Sequence, residues 1–177
     1  TSNMGHFNAG SDQILQSFLV ANSTNPNNPI HGSPVYWAAP SGPLVYVWPD
    51  TDYLKAFRYN NGLFETTPAA VGNIGPSGSW NGPHTVMGAM LSLSANGSIP
   101  GTGILWATRS LGGDAIHDAR PGILHAFDAA DITRELWNSV QNAARDDFGN
   151  FAKFCPPTIA NGKVYQATFS NQLVVYG

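Results

Sequence analysis

A pattern of short apolar runs separated by turn signals recurs along the chain and constrains its fold more than any other feature. The last copy has apolar runs at 157–160, 163–168 and 173–176, and the pair Asn161-Gly162 separates the first two. Asn-Gly between apolar runs indicates a two-residue hairpin, because both turn positions need a positive φ. This copy is therefore predicted to be a three-stranded antiparallel meander.

Two earlier stretches repeat the pattern and add a fourth run. The runs lie at 34–37, 44–48, 53–57 and 63–67 in the first stretch, and at 90–94, 104–108, 123–128 and 135–138 in the second. Such small sheets cannot bury both faces alone, and they form a β-propeller when they stack around an axis. A β-sandwich is the alternative, but it does not require strands to recur in matched groups of four.

The chain is thus predicted to be all-β, with about three antiparallel propeller blades at approximately residues 30–70, 87–140 and 154–177. The last copy lacks a fourth strand, whereas the orphan apolar segment 13–20 is placed like the fourth strand of a preceding blade. This segment is therefore a candidate closing strand. Propellers typically have about four to eight blades. We therefore expect either a C-terminal part of a larger propeller or a ring that closes between copies of the chain.

Composition argues against two classes of partner. Only 11% of residues are charged and the net charge is -3, so no basic stripe is present to neutralise nucleic-acid phosphates. The longest apolar runs are far shorter than the roughly 20 residues that span a bilayer.

The polar opening Thr1-Ser2-Asn3 lacks the features of a signal peptide and is expected to be a mature or truncated start. The single cysteine, Cys155, excludes an internal disulfide and is predicted to be a small buried residue.

Several stretches of the second and third copies resemble the C-terminal blades of the quinoprotein-like (PQQ-repeat) β-propeller family. They are residues 122–129, 135–137, 154–158 and 161–165. The resemblance is clearest over 30–60 and 87–177. It implies a propeller fold and a bacterial protein that is secreted or periplasmic, but it does not imply an activity, because many functions share this fold.

The blade-docking motif of quinone-dependent dehydrogenases is only partly present. The match needs an extra residue between Asp128 and Thr133, and Arg134-Glu135 stands in place of the motif's Gly-Lys pair. Trp137 matches the motif's tryptophan and is expected to keep its packing role. These departures argue against PQQ as a cofactor and rank a quinone-dependent dehydrogenase last among the functions considered.

Two groups of loop residues are candidates for catalysis. His31 and His84 precede predicted strands, where propellers place ligands. In the 109–121 loop, two carboxylates flank an imidazole: Asp114, His117 and Asp118. Such a group can hold a metal or polarise a water molecule. The structural alternatives are turn stabilisation for the histidines and simple solvation for the loop. His125 lies inside a predicted strand and is expected to be a packing residue or a solvated one.

The segment 139–153 is too polar and too unpatterned for a strand, and it is predicted to be a structured loop between blades. Its second half is the densest polar cluster of the chain and contains Asp146, Asp147 and Asn150 between Arg145 and Lys153. Oxygen ligands from Asp and Asn are those that calcium prefers, so these three are candidate metal ligands. The alternative is a salt-bridge cluster that fixes the loop.

No complete catalytic constellation emerges from these patterns. The leading hypothesis is therefore a secreted PQQ-like propeller module with a binding or assembly role. Its partners would be other propeller blades or a second copy of the chain. The alternative is a calcium-dependent hydrolase of lactones or esters, for which calcium would be the cofactor.

Overall fold

The computed structural model describes residues 9–11, 13–21, 29–76 and 87–177, and over these ranges the fold is all-β. His84 lies outside the described residues. The strands form three antiparallel sheets that follow one another along the chain. The one helix in the described ranges has four residues and is too short to cross a membrane.

The first sheet contains β1 (Val35–Trp37), β2 (Leu44–Val47), β3 (Lys55–Asn60), β4 (Leu63–Phe64) and β5 (Ala70–Val71). Its order is β1-β2-β3-β4, with β5 paired to β3. The second sheet contains β6 (Met90–Ser94), β7 (Ile104–Ser110), β8 (Gly122–Asp128) and β9 (Asp131–Asn138), in that order. The helix α1 (Ala143–Asp146) precedes the third sheet, which contains β10 (Thr158–Ala160), β11 (Lys163–Ala167) and β12 (Leu173–Tyr176).

The three predicted groups of strands are all present. The Asn-Gly hairpin is also confirmed, because φ is 51° at Asn161 and 71° at Gly162. Asn61 and Gly62 make the same kind of turn between β3 and β4, with φ of 50° and 87°. Two features differ from the prediction. The polar loop contains the short helix α1, and β5 adds a strand to the first sheet where none was expected.

The second sheet lies between the other two, and its faces contribute to different apolar clusters. The cluster toward the first sheet buries Trp37, Leu44, Tyr46, Trp48, Leu54 and Ala56 against Ala89, Leu91, Leu105, Ala107, Phe127, Ala129 and Ile132. The cluster toward the third sheet buries Leu124, Phe148 and Val164. The first strands of neighbouring sheets adjoin, since β6 contacts both β1 and β10. The three sheets thus form a series in which successive first strands lie side by side.

The segment 13–20 lies against the first sheet, and its described residues form no strand pairing. The Phe18 ring is 5.4 Å from that of Phe57 and 6.5 Å from that of Phe64. The Gln16 amide both donates to the Phe64 carbonyl oxygen (2.7 Å) and accepts from the Phe64 N–H (2.8 Å). Closure of the last sheet by this segment therefore stays a prediction.

Candidate functional site

The strand order brings the candidate site residues to one end of the stacked sheets. In an antiparallel meander, the start of the first strand, the second connection and the end of the fourth strand lie at the same end of the sheet. We call this end the loop end. For the first two sheets it comprises segments 29–34, 48–54, 87–89, 109–121 and 139–157.

Contacts between neighbouring sheets show that their loop ends coincide. The Gly88 N–H, just before β6, donates to the Asp50 carboxylate of the first sheet (2.7 Å). Two isolated backbone bridges join the second and third sheets: Pro121 with Asn150, and Phe151 with Thr168. All the described candidates lie at this end: His31, Asp114, His117, Asp118, Asp146, Asp147 and Asn150.

His31 is held by a buried carboxylate that sequence reasoning missed. Its Nδ1 lies 2.7 Å from Oδ2 of Asp50, which has no exposed surface. The other Asp50 oxygen accepts the Gly88 N–H, and at Gly88 a Cβ atom would lie 2.0 Å from the Trp48 carbonyl oxygen. Only glycine therefore allows this close approach. Asp50 thus orients the imidazole and also ties the entry of β6 to the first sheet.

A carboxylate on one imidazole nitrogen is the arrangement that orients histidine for proton transfer. The His31 side chain is 26% exposed, so its ring is accessible from solvent. Its ring also lies 5.8 Å from that of Phe154, just before β10. Within the described parts of the chain, no serine or cysteine hydrogen-bonds to His31.

The 109–121 loop brings together two of its three candidates. His117 Nδ1 lies 2.6 Å from the Asp114 carboxylate, which also accepts the N–H groups of Ile116 (2.9 Å) and His117 (3.3 Å). Burial raises the pKa of Asp114, but these hydrogen bonds outweigh it and hold the pKa below its ordinary value. Asp118 instead pairs with Arg120 (2.7 Å) on the surface. The loop thus contains a turn that is capped by Asp114 and paired with His117, rather than a three-residue site.

The predicted calcium ligands are engaged in local structure. Both Asp146 carboxylate oxygens accept from the Arg145 guanidinium, at 2.6 and 2.7 Å, and this hydrogen bonding lowers the pKa of Asp146. Asp147 accepts the Gly149 N–H (2.8 Å). A carboxylate bound on both oxygens by a guanidinium does not fit a calcium site. In the described ranges, no three His, Cys, Asp or Glu side chains are grouped so that they could bind one metal ion.

A largely buried network of ionisable side chains on the second sheet is a feature that the sequence did not indicate. Arg109, His125 and Glu135 lie on β7, β8 and β9 and face the first sheet. His125 Nδ1 is 2.6 Å from the Glu135 carboxylate, and Arg109 Nε donates to His125 Nε2 (3.2 Å). Because Nε2 accepts, Nδ1 carries the proton and the imidazole is neutral. Arg109 also donates to the Gly75 carbonyl oxygen (2.9 Å), and its guanidinium carbon lies 4.7 Å above the Trp48 ring.

Burial shifts the pKa values of this network. It lowers the pKa of Arg109 to about 10, against the opposing charge of Glu135. It also lowers the pKa of His125, and the positive charge of Arg109 acts in the same direction. For Glu135 the hydrogen bond from His125 and nearby positive charge outweigh burial, so its pKa lies below the ordinary value. Since every member has a partner, the network fits a structural link between sheets better than a reactive site.

An open groove of about 540 Å³ lies between the second and third sheets. Its walls include Trp106 and Trp137 from the second sheet and Val174 and Tyr176 from β12, and the Arg145–Asp146 ion pair also lines it. The Trp137 and Tyr176 rings meet edge to face at 5.5 Å. The Tyr176 hydroxyl donates to the Asp146 backbone carbonyl (2.7 Å), and burial raises its pKa to about 12. The groove is therefore lined by aromatic and aliphatic side chains, with one charged pair at its margin.

Comparison with known proteins assigns the chain to no family. No protein-family model, no curated protein and no solved structure matches it.

Proposed function

We propose that this chain is a PQQ-like β-propeller module, secreted or periplasmic, whose role is binding or assembly through the open faces of its sheets. The observation that carries this proposal is the series of three sheets with adjoining first strands. The outer face of the third sheet has no sheet against it in the described ranges. On this face Leu173 is 65% exposed and Val175 is 48% exposed. Adjacent exposed apolar side chains of this kind are typical of interaction surfaces.

The polar groups at the loop end support binding or assembly over catalysis. His31, His117 and Asp146 are each held by a neighbouring side chain of the same chain. Catalysis requires at least one such group to meet a substrate in the correct geometry. The calcium-dependent hydrolase ranks second, since the oriented His31–Asp50 pair favours it but the Asp146 carboxylate does not fit calcium.

The test is the solution mass of the purified chain by light scattering over a range of concentrations. We expect the mass to rise with concentration and to return to that of a monomer in the double variant Leu173→Lys/Val175→Lys. The matched control is Ile99→Lys/Leu111→Lys, because these residues are 51% and 47% exposed and lie outside this face. The control should associate like the wild type.

Two results would count against the proposal. A wild-type chain that stays monomeric at every concentration would contradict the assembly role. Elemental analysis of the same sample gives the second result, because calcium retained in a one-to-one ratio would favour the hydrolase.

A further inference from the structure

In the described residues, the strand β12 is paired along one edge only. In the first two sheets a fourth strand pairs with the third, but in the described residues β12 pairs only with β11. The Thr168 N–H donates to the Gln172 carbonyl oxygen (3.0 Å), which sets the alternation of hydrogen bonds along this pair. In that alternation Val174 bonds to β11, whereas the N–H and C=O groups of Leu173 and Val175 point outward. An unpaired row of this kind is a template for another strand.

The aromatic groove lies where a strand added to β12 would place its inward side chains. Trp106 and Trp137 form its floor on the second sheet, and Val174 and Tyr176 form the wall on the β12 side. A fourth strand would therefore gain backbone hydrogen bonds from β12 and bury alternate apolar side chains on the two tryptophans. The occupant that fits is an extended segment with apolar residues on one side.

The segment 13–20 has this character. Burial alternates from residue 16 to residue 20, with Gln16, Phe18 and Val20 turned toward the first sheet. The residues turned away include Leu15, which is 89% exposed, and Leu19, which is 77% exposed. Period-2 alternation is typical of a β-strand, yet the described part of this segment pairs with no strand.

The position of the segment also matches. Phe18 packs on Phe57 of β3 and Phe64 of β4, and Lys55 at the start of β3 donates to the Val20 carbonyl oxygen (2.6 Å). The segment thus lies on the outer side of the first sheet, over its third and fourth strands. If a further sheet were stacked on the outer side of the first sheet, its fourth strand would occupy this place. Tyr36 of β1 remains 55% exposed, so the area over the first strand is open.

We propose that residues 13–20 of one copy of this chain pair with β12 of a second copy and become the fourth strand of its third sheet. Phe18 would stay on its own first sheet, while Leu15 and Leu19 would enter the Trp106–Trp137 groove of the second copy. The chain's own β12 is not available to this segment, because the second sheet lies between the first and third sheets. The inference rests on the proposed assembly role and names its contact.

The first test is the double variant Leu15→Asp/Leu19→Asp, measured by light scattering. Both leucines are exposed in the single chain, so its fold should be unaffected, which circular dichroism checks. Burial of a leucine contributes enough for at least about tenfold in affinity, so we expect self-association to weaken roughly a hundredfold. The matched control Ile99→Asp/Leu111→Asp, with two exposed residues elsewhere, should leave it unchanged.

A second variant tests the backbone contact. Val175→Pro removes an N–H that points outward from β12. It leaves the hydrogen bonds between β12 and β11 intact, because proline is tolerated in a strand where its missing N–H faces away from the neighbouring strand. We expect it to weaken association at least about tenfold, because edge pairing depends on these donors. Hydrogen exchange supplies the readout that side-chain effects would not: the Leu173 and Val175 amides should be protected in the assembly and exchange freely in the Leu15→Asp/Leu19→Asp variant.

The outcomes separate this inference from the proposed function. If Leu173→Lys/Val175→Lys abolishes association but Leu15→Asp/Leu19→Asp does not, strand pairing is wrong and assembly through the sheet face stands. Equal exchange of the Val175 amide in monomer and assembly would also overturn strand pairing. A wild-type chain that never associates would overturn both.

Discussion

The two interfaces of the central sheet differ in completeness. Toward the first sheet, large side chains such as Tyr46, Trp48 and Phe127 have almost no exposed surface. Toward the third sheet, the aromatic residues Trp106 and Trp137 remain partly exposed beside an open groove. Close packing is the norm in protein interiors. The second interface is therefore less closely packed than the first in the described residues.

The polar groups of the two interfaces differ in the same sense as their packing. The first interface contains the Arg109–His125–Glu135 network, in which Arg109 and His125 are buried, Glu135 is 23% exposed, and each side chain has a partner. Burying charged groups is costly unless they are paired, so this interface must exclude water and hold its geometry. The second interface has its ion pair at the groove margin, where the Arg145 side chain is 70% exposed. The comparison indicates that the first interface is closely packed in the described residues, whereas the second leaves an open groove.

The largest expected effect is the loss of unfolding free energy when a buried leucine of the second sheet is shortened to alanine. Two leucines with equal burial lie on opposite faces of this sheet and allow the two interfaces to be compared. Leu105 on β7 faces the first sheet and Leu124 on β8 faces the third, and neither has exposed surface. Leucine to alanine in a core costs about 2–5 kcal/mol, and more where the surroundings cannot collapse. We expect Leu105→Ala to lie at the upper end of this range and Leu124→Ala at the lower end, by denaturant unfolding of the monomer.

The physical reason is the open groove, which lets the second interface relax around a lost side chain. Leu105 is enclosed by the larger cluster and has no such freedom. Equal losses of unfolding free energy, or a larger loss for Leu124→Ala, would show that the two interfaces are packed alike. An assembled sample would blur the difference, so both variants are measured at a concentration where the chain is monomeric.

A smaller loss of unfolding free energy is expected when one tyrosine hydroxyl is removed from either interface. The Tyr46 hydroxyl donates to the Ala129 carbonyl oxygen (2.5 Å) in the first interface, and the Tyr176 hydroxyl donates to the Asp146 carbonyl oxygen in the second. Removing a donor so that a buried acceptor is left unsatisfied costs about 1–3 kcal/mol, whereas a typical hydrogen bond contributes about 0.5–1.5 kcal/mol. We expect Tyr46→Phe to fall in the first range and Tyr176→Phe in the second. A reversed order in thermal or denaturant unfolding would contradict the view that only the first interface excludes water.

Much of the fold could be predicted from the sequence, because local signals specify it. The Asn161-Gly162 turn requires positive φ, and short apolar runs between turns indicate strands regardless of their partners. The strand β5 was missed because Ala70-Val71 is too short to carry a pattern, and its pairing with β3 is a long-range contact. The four-residue helix α1 was missed for a related reason, since one helical turn has no periodicity to detect.

The site was less predictable, because its pairs depend on register and on contacts between sheets. His31 and Asp50 are 19 residues apart, and only the return of β2 beside β1 brings them together. The Arg109–His125 contact likewise requires the register of β7 and β8. The Asp114–His117 pair lies within one turn, so its proximity is visible in the sequence. The role of Asp114 as a turn cap is not.

The dependence of the unfolding free energy on pH tests whether the charged network is buried in the first interface. Burial lowers the pKa of His125 in the folded chain, while in the unfolded chain it lies near the ordinary value of about 6.5. Between these two values the unfolded state binds more protons, so stability falls as pH falls below about 6.5. The pKa of Glu135 is also lowered on folding, and its contribution is present above about pH 4.3 and lost only below it.

A window from about pH 7.5 to 5.5 therefore separates the histidine from the carboxylate. One proton changes stability by at most about 1.4 kcal/mol per pH unit. We expect the unfolding free energy of the wild type to decline in the lower half of this window and that of His125→Gln to decline less steeply, whatever the stability of the variant at neutral pH. Glutamine can still donate to Glu135 and accept from Arg109, so the packing of the interface is kept while the titrating group is removed. Parallel curves for the two proteins would mean that His125 does not titrate against burial, and that water reaches the first interface as it reaches the second.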